Sequence, residues 1–408
     1  MLLTRLLDRL IRTGRLTVID AAGRTRSFGP GGVPAVTVRL HSRLLPYRLL
    51  LSPSLSLGEA YMDGTLTIEE GALRDFLHLA TQNYAALDGQ PFRVACRRLA
   101  RPFRLLPQYN PIRRARRNVA HHYDLSGSLY EMFLDGDRQY SCAYFEDGME
   151  GLDEAQDKKR RHIVAKLMPE PGMRVLDIGS GWGGLAFELA RTAGVGVTGI
   201  TLSEEQLAAA RSRAASLGLS DQVRFLLRDY REEHGVYDRV VSVGMLEHVG
   251  AAHYQAYFDS VRRLLKPDGI ALVHAIGRME PPGGTDRWLR KYIFPGGYCP
   301  ALSEVLAAVE KTGLWVTDIE VLRIHYAETL RHWFERFQAK REAVSELYDE
   351  RFCRMWEFYL AACEMAFRNG PMMVFQIQLA RRRDTVPLTR DYITEVESRS
   401  AAAKVCAA

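Results

Sequence analysis

The hydrophobic and polar positions of residues 173 to 381 alternate between two patterns. Short apolar runs rich in β-branched residues predict seven strands, and the segments between them have the spacing of amphipathic helices. The strands are MRVLDIG, GVTGITL, VRFLLRD, YDRVVSVG, GIALVHAIG, WVTDIEVLRI and MMVFQIQLAR. This order predicts an α/β fold with a mostly parallel sheet covered on both faces, in which ligands bind beyond the carboxyl ends of the strands. The last strand follows a long helical insertion and is a candidate for an antiparallel strand.

The predicted strands and helices of the first ninety residues are shorter. VTVRLHS and PYRLLLS resemble strands, and the turn-rich SLGEAYMDGTLTIEEGALRDFLHLA leads into a helix. We interpret this part as a small α+β module. The start of the chain has apolar residues at helical spacing and mostly arginines opposite, which predicts an amphipathic helix over residues 2–11. Such a helix docks on its own protein or lies on a membrane surface.

Composition is that of an ordinary globular protein, with 47% hydrophobic and 25% charged residues. No apolar run approaches the roughly 18 residues that a membrane-spanning helix needs. The six cysteines form no CxxC pair and no Cys/His zinc spacing, and the adjacent His121 and His122 have no matching ligand pair. We therefore expect free thiols in a reducing cytoplasm and no metal site.

The net charge of +6 is unevenly distributed. Residues 93 to 117 contain nine arginines and no acidic residue, interleaved with aromatic and leucine side chains. Three interpretations stay open: a solvated charged face, an anionic membrane surface, or nucleic acid phosphates. The apolar residues among the arginines favour lipid.

The strongest local motif is VLDIGSGWGGLAFELA, in which a buried strand ends and a glycine-rich turn precedes a helix. Glycines allow a sharp turn and the close approach of a ligand to the backbone. By itself, the spacing of Gly179, Gly181 and Gly184 also fits a dinucleotide site. A further interpretation is that this glycine-rich turn has only a structural role.

Three neighbouring segments favour S-adenosylmethionine over a dinucleotide. Asp177 lies two residues before the first glycine, which is typical of methyltransferases. The second strand is followed by a capping pattern of Ser203 and Gln206 rather than by an acid that would hold a ribose. The third strand ends at Asp229 and Tyr230, where an adenine amine and ring need an acceptor and an aromatic neighbour.

From His121 onwards the sequence resembles the cyclopropane and mycolic acid synthase family of S-adenosylmethionine-dependent methyltransferases. The resemblance is carried by a series of motifs in order: HHYDLS, QYSCAYF, VLDIGSGWGG, GITLSEEQ, SVGMLEHVG, LLKPDGIALVHAIG, KYIFPGG, HYAETLRHWFERF and RMWEFYLAACEMAFR. It implies a Rossmann-like class I fold with a seven-stranded sheet, a helical acyl-binding insertion and a small N-terminal α+β domain. The sequence departs from the family at Ser180, where many members have cysteine, and at SGSLY after HHYDL, which leaves the role of Ser126 open.

The resemblance also implies the reaction and its residues. A methylene derived from S-adenosylmethionine is added across a cis double bond of an acyl chain, and a bound bicarbonate removes a proton. The catalytic positions that match are Cys142, Glu247, His274, Ile276 and Tyr326. The cofactor positions that match are Tyr140, Ser141, Gly179, Gly181, Thr201, Gln206, Asp229 and Tyr230. We add Asp177, the acid before the glycine-rich turn, to this set. Cys142 is expected to form part of the wall of the anion site and not to act as a nucleophile.

We thus expect an N-terminal domain over 1–92 with a role in lipid binding or dimerisation, a basic linker over 93–120 and a catalytic domain over 121–408. The expected partner is the phospholipid membrane, reached from the cytoplasm as a peripheral protein of the inner face, with no nucleic acid and with a homodimer as a candidate assembly. The expected substrates are unsaturated chains of membrane phospholipids. One alternative is a fatty-acid C-methyltransferase that makes methyl-branched or methylated unsaturated chains. The other is a nucleic-acid methyltransferase or binding protein that uses the arginines of residues 93–117.

Overall fold

The computed structural model of the protein describes residues 2–85 and 127–398, which form two compact units. The first contains residues 2–85, 283–295 and 327–372, and the second contains 127–282, 296–326 and 373–398. The predicted basic linker, the arginine-rich stretch and the HHYDLS motif lie outside the described residues. Residues 327–372 fall within the predicted catalytic domain but belong to the first unit, and the predicted domain limits stay a prediction.

The helices and strands are numbered in chain order through the described residues, and residues 391–398 are also helical. They are α1 (Leu2–Leu10), β1 (Gly14–Ile19), β2 (Thr25–Gly31), β3 (Ala35–Leu40), α2 (Leu45–Leu51), α3 (Pro53–Met62), β4 (Leu66–Glu70), α4 (Leu73–Ala85), α5 (Gly127–Phe133), α6 (Leu152–Leu167), β5 (Arg174–Ile178), α7 (Gly184–Ala193), β6 (Gly196–Thr201), α8 (Glu204–Ser216), β7 (Val223–Leu227), β8 (Tyr237–Val243), α9 (Tyr254–Leu264), β9 (Leu265–Arg278), α10 (Arg287–Tyr292), α11 (Leu302–Glu310), β10 (Trp315–Leu322), α12 (His325–Ala339), α13 (Arg341–Leu347), α14 (Glu350–Arg368) and β11 (Met372–Ala380).

The first unit is built on a four-stranded sheet in the order β2-β1-β3-β4. β1 pairs antiparallel with β2 and parallel with β3, and β4 is antiparallel to β3. The predicted amphipathic helix α1 is confirmed, and Ile11 at its end is buried against Gly29 of β2. Late helices complete the unit: the Trp288 ring of α10 lies 4.8 Å from the Phe358 ring of α14 and packs on Gly58 of α3.

The prediction of a strand at PYRLLLS is wrong, because these residues form most of helix α2. Pro46 occupies the first turn, where its fixed φ and missing N–H suit a helix, and leucine is a strong helix former. Leu45 and Pro46 are buried while Tyr47 and Leu51 are exposed, so the apolar residues do not alternate between two faces. The predicted turn-rich patch is likewise more ordered than expected, since it contains α3 and β4. Strands β1 and β2 were not predicted.

The second unit contains the predicted seven-stranded sheet, in the order β10-β11-β9-β8-β5-β6-β7. The pairs from β9 to β7 are parallel, and β11 is antiparallel to β10 as expected for the last strand. All seven predicted strands are present. Two clusters of buried apolar residues, around Tyr257 and Phe258 in one case and Phe187 and Phe225 in the other, complete the core.

Candidate active site

The glycine-rich turn between β5 and α7 follows the carboxyl end of a central strand. Gly179 has φ of 83° and Gly183 has φ of 88°, both in the left-handed region that favours glycine. A Cβ at Gly183 would lie 2.7 Å from the Phe225 ring. The turn is tied to β6, because the N–H groups of Gly179 and Ser180 donate to the Ile200 carbonyl at 2.9 and 3.0 Å.

A cavity opens at this edge of the sheet. It is lined by the residues after β5, β6, β7 and β8 and by the segment before α6. The nine predicted cofactor residues all line it: Tyr140, Ser141, Asp177, Gly179, Gly181, Thr201, Gln206, Asp229 and Tyr230. The nine residues predicted from the sequence therefore meet at one cavity, and their contacts with a cofactor stay a prediction.

The turn after β6 has the predicted capping pattern. The Ser203 hydroxyl accepts from the Gln206 N–H at 3.2 Å, and the Thr201 hydroxyl donates to the Gln206 side-chain carbonyl at 2.9 Å. Because both hydrogen bonds are local, they fix Gln206 at the start of α8 before any ligand binds.

The third strand ends in an ion pair that the sequence did not reveal. Asp229 accepts from the Nε and Nη2 atoms of Arg231, both at 2.7 Å, and the Arg231 guanidinium lies over the Tyr230 ring, 5.4 Å from its centroid. Each carboxylate oxygen can accept more than one hydrogen bond, so Asp229 is still able to bind an amine. Burial raises the pKa of Tyr230 to about 12, which keeps its ring neutral.

A buried lysine shares the cavity with Asp177. Lys159 of α6 is 1% exposed, and its ammonium donates to the side chains of Gln139 at 2.7 Å and Ser141 at 2.8 Å. Burial lowers the pKa of Lys159 to about 7, and the charge of Asp135 opposes that change. Burial raises the pKa of Asp177 to about 7, and the charge of Lys159 opposes it.

Glu247 is the best-defined member of the predicted catalytic set. It lies in a short 3₁₀ turn after β8 and is 7% exposed. Its Oε1 accepts from the Ile276 N–H at 2.5 Å, while its Oε2 is buried and has no hydrogen-bond partner within the described residues. Burial raises the pKa of Glu247 to about 7. The Ile276 N–H is thus engaged by Glu247.

His274 precedes Ile276 on the same face of β9. Its Nδ1 lies 3.2 Å from the Gln376 Nε2, and burial lowers the pKa of His274 to about 3. The ring is therefore neutral, and because an amide nitrogen only donates, Nδ1 accepts and Nε2 carries the proton. No hydrogen bond joins Glu247 to His274 in the part of the chain that the structure describes, so the orientation of His274 comes from Gln376 and not from Glu247.

The other two predicted catalytic residues are buried in different segments. Cys142 is 1% exposed and its thiol donates to the Ala143 carbonyl at 3.3 Å. This position is compatible with the predicted role of Cys142 in the wall of the anion site. Tyr326 is the second residue of α12 and 7% exposed. The neighbouring His325 Nδ1 accepts from the Phe145 N–H at 3.1 Å, so the QYSCAYF segment and the start of α12 are in contact.

Other residues of the site had no clear sequence signal. Lys159 and Gln156 are polar helix residues, which are ordinarily exposed, and Arg231 gave no sign that it binds Asp229. His248 also lines the cavity, and burial lowers its pKa to about 4. Within the described ranges no group of His, Cys, Asp or Glu side chains is arranged to hold a metal ion, and the four cysteines found there are free thiols.

A seven-stranded sheet with an antiparallel last strand and a cavity beyond its glycine-rich first strand defines the class I S-adenosylmethionine-dependent methyltransferases. A family model described as mycolic acid cyclopropane synthetase matches residues 111–377, and a model for a domain of unknown function matches residues 5–88. The chain belongs to the mycolic acid cyclopropane synthetase family, and it is an S-adenosylmethionine-dependent enzyme.

Individual relatives agree with this assignment. The cyclopropane-fatty-acyl-phospholipid synthase of Escherichia coli strain K12 is 39% identical, over 86% of this chain and 89% of that protein. A protein of Pseudomonas putida named "Probable fatty acid methyltransferase" is 38% identical, over 86% and 88%. The crystal structure of mycolic acid cyclopropane synthase CmaA1 complexed with SAH and CTAB matches with a TM-score of 0.63 and 33% identity, over 66% of this chain and 99% of that one.

Proposed function

We propose that this protein transfers a methylene unit, derived from the methyl group of S-adenosylmethionine, to the cis double bond of unsaturated acyl chains in membrane phospholipids. The product is a cyclopropane fatty acid. The likeness to the Escherichia coli synthase, which extends over nearly the whole length of both chains, supports this substrate class.

The observation that carries the proposal is the chemistry around Glu247. Its buried Oε2 has no hydrogen-bond partner among the described residues, and a buried polar group in that condition is costly. The neutral His274 offers a proton on Nε2. A carboxyl oxygen that accepts when ionised and can donate when protonated, together with a neutral imidazole donor, fits a small oxyanion such as bicarbonate, which has both a hydroxyl and acceptor oxygens. We propose that Cys142, Glu247, His274, Ile276 and Tyr326 hold it.

The proposed reaction requires both transfer and proton removal. The alkene attacks the methyl carbon, a C–C bond forms, the C–S bond breaks, and S-adenosylhomocysteine leaves. The transferred methyl then loses a proton while its C–H electron pair closes the ring on the cationic carbon. Bicarbonate, when bound, supplies the base for that proton.

The residues around the cation must not react with it. The Nδ1 lone pair of His274 faces the Gln376 amide, and its Nε2 is protonated, so the ring presents no free nucleophilic nitrogen. The Cys142 thiol points its proton to the Ala143 carbonyl and is 1% exposed. Both side chains are thus suited to lining the site without being alkylated. Aromatic rings such as Tyr140 stabilise a cation without bonding to it.

We further propose that the protein acts as a peripheral protein on the inner face of the cytoplasmic membrane. Among the described residues no helix is long and apolar enough to cross a bilayer. Sedimentation with vesicles that contain anionic lipid, compared with an RNA gel shift, tests this proposal. Binding to vesicles alone supports it, and salt-sensitive binding to RNA alone contradicts it.

Product analysis tests the reaction itself. The enzyme is incubated with S-adenosylmethionine and vesicles of an unsaturated phosphatidylethanolamine, and the acyl chains are analysed by mass spectrometry and by proton NMR. We expect a gain of one CH₂ per converted chain and loss of the vinyl proton signals. Unchanged chains, with an enzyme that binds S-adenosylhomocysteine normally, would contradict the proposal.

A second candidate is a fatty-acid C-methyltransferase, which the likeness to the Pseudomonas putida protein favours. It would lose a proton from a chain carbon, giving a methylated alkene with the same mass gain, or give a methyl-branched chain with two further hydrogens if a reductant is present. Retained vinyl protons or the heavier product would decide for this candidate.

A further inference from the structure

One face of helix α6 is polar although it is buried. Gln156, Lys159 and His162 follow each other at intervals of three residues and are between 0% and 3% exposed. Burying an ammonium and an amide nitrogen without partners is unfavourable, and here the Lys159 ammonium and the Gln156 Nε2 have specific partners. All three contact the segment 139–144, which precedes the helix and contains the predicted contacts of the cofactor and of the anion.

The first two residues hold the beginning of that segment. The Gln156 amide donates to the carbonyls of Gln139 at 3.3 Å and Ser141 at 2.9 Å. One turn further, the Lys159 ammonium donates to the side chains of the same two residues, Gln139 and Ser141. Backbone and side chain of Ser141 are therefore fixed from a single helix face. Both Ser141 and Lys159 line the cofactor cavity.

The third residue supports the end of the segment. The His162 ring stacks on the Tyr144 ring with centroids 4.3 Å apart and planes within 14°. Its two nitrogens contact Glu320 and Glu397, each at 2.6 Å, and these carboxylates raise the pKa of His162 against the effect of burial. Tyr144 also stacks on His325, the residue before Tyr326. Cys142 lies between the two points of attachment.

We propose that Gln156, Lys159 and His162 are positioning residues of the transfer reaction: the first two set Tyr140 and Ser141 against the cofactor, and His162 sets Cys142 and Tyr144 at the acyl side. This proposal deepens the proposed function of the same site and rests on it. None of the three needs to touch the reacting atoms.

The test measures cofactor affinity and turnover separately. Binding of S-adenosylhomocysteine is measured by titration calorimetry without any acyl substrate, and kcat and KM for S-adenosylmethionine are measured from its release of S-adenosylhomocysteine on vesicles. We expect Lys159→Met and Gln156→Leu to weaken S-adenosylhomocysteine binding by about tenfold or more. His162→Leu should leave that affinity within about twofold but lower kcat by about 100-fold, the effect of a displacement of roughly 1 Å at the reacting groups.

Lys166→Met is the matched control. Lys166 is an equally buried ammonium on α6, but its partners are Asp318 and Glu320 of β10 and not the segment 139–144. It should lose stability much as Lys159→Met does while keeping its affinity for S-adenosylhomocysteine. If Lys166→Met weakens binding as much as Lys159→Met, a general loss of packing explains the effect and the proposal is wrong.

Ser141→Ala supplies the coupling test. If Lys159 acts through Ser141, the double variant should bind S-adenosylhomocysteine no more weakly than Lys159→Met alone, whereas additive losses would contradict that route. If circular dichroism shows that Lys159→Met does not fold, the S-adenosylhomocysteine affinity of Gln156→Leu tests the proposal instead, because this variant removes no charge. Wild-type affinity in Gln156→Leu would then overturn the proposal. Absence of a cyclopropane product in the wild type would contradict the proposed function but not the affinity results.

Discussion

Glu247 illustrates how burial controls a charge at the site. Its pKa of about 7 lies above its ordinary value of 4.5, so the folded protein holds a proton that the unfolded chain has released at intermediate pH. Stability therefore falls as pH rises from about 4.5 to about 7, by an amount on the order of 3 kcal/mol. Glu247→Gln lacks this titration, and we expect it to gain stability relative to the wild type between pH 5 and pH 8.

Urea denaturation of both proteins at several pH values measures this difference. Asp177 and Lys159 also have shifted pKa values, but they are present in both proteins and cancel in the comparison. A stability difference that is constant with pH would show that Glu247 does not titrate in this range.

The tautomer of His274 gives a second prediction at this scale. Gln376 holds the ring with its proton on Nε2. Partners that orient a metal-bound histidine affect activity by about 10-fold to 100-fold, and we take the lower end of that range for this ring, which binds no metal. We expect Gln376→Met to lower kcat by about tenfold with unchanged affinity for S-adenosylhomocysteine. Steady-state kinetics and calorimetry measure the two quantities.

Gln378→Met is the control for that variant. Gln378 lies on the same face of β11 and is equally buried, but its amide donates to the Lys166 carbonyl at 2.6 Å and to the Tyr392 hydroxyl at 2.8 Å. It should lose stability without a change in kcat. Equal losses of kcat in both variants would assign the effect to the strand and not to His274.

The position of a residue in the fold was predictable from the sequence where the backbone alone determines it. The nine predicted cofactor residues, except for Tyr140, Ser141 and Gln206, lie within three residues of the ends of parallel strands, and such ends meet at one edge of a sheet. Lys159 and Gln156 could not be found in this way, because a polar residue in a helix is usually solvated. Their burial depends on a segment packed across the helix, which no local pattern reveals.

At the scale of elements, the parallel sheet was predictable because its strands are apolar runs separated by clear helices. α2 was not, since leucine-rich runs of seven residues fit a buried strand as well as a helix, and the proline that begins the helix also occurs at strand edges. The antiparallel direction of β11 relative to β10 was predictable because β11 follows a long helical insertion.

Helix α14 allows a prediction about a cap. The Asp349 side chain accepts from the Phe352 N–H at 2.6 Å and begins a helix of 19 residues. Asp349→Ala should lower the free energy of unfolding by about 1 kcal/mol. Asp349→Ser retains an acceptor and should recover most of the loss. Thermal denaturation measures both variants, and equal stability of Asp349→Ala and the wild type would mean that water replaces the cap.

At the scale of the whole molecule, the first unit joins distant parts of the chain. Arg74 of α4 donates two hydrogen bonds to Glu364 of α14, at 2.8 and 2.7 Å, and the Glu364 side chain is fully buried. Its removal leaves Arg74, which is 28% exposed and also lies 3.9 Å from Glu335, so the loss is that of charge-assisted hydrogen bonds, about 2 kcal/mol. We expect Glu364→Ala to destabilise the first unit by that amount.

Hydrogen exchange read by mass spectrometry locates this effect. Protection should fall in α3, α4 and α14, while the strands of the second unit keep theirs. Asp384→Ala removes an exposed pair with Arg382 and should change nothing measurable. Uniform loss of protection in both units of Glu364→Ala would show that the two unfold together.

The first unit consists of three separate chain segments, and this affects how it folds while the ribosome makes the polypeptide. Residues 2–85 leave the ribosome first, but the helices that cover their apolar side chains, up to residue 372, follow about 290 residues later. At 5–20 residues per second the nascent polypeptide carries that incomplete core for roughly 15 to 60 s. The N-terminal module therefore matures only after most of the catalytic sheet has been translated, and in the interval it is a natural client for chaperones.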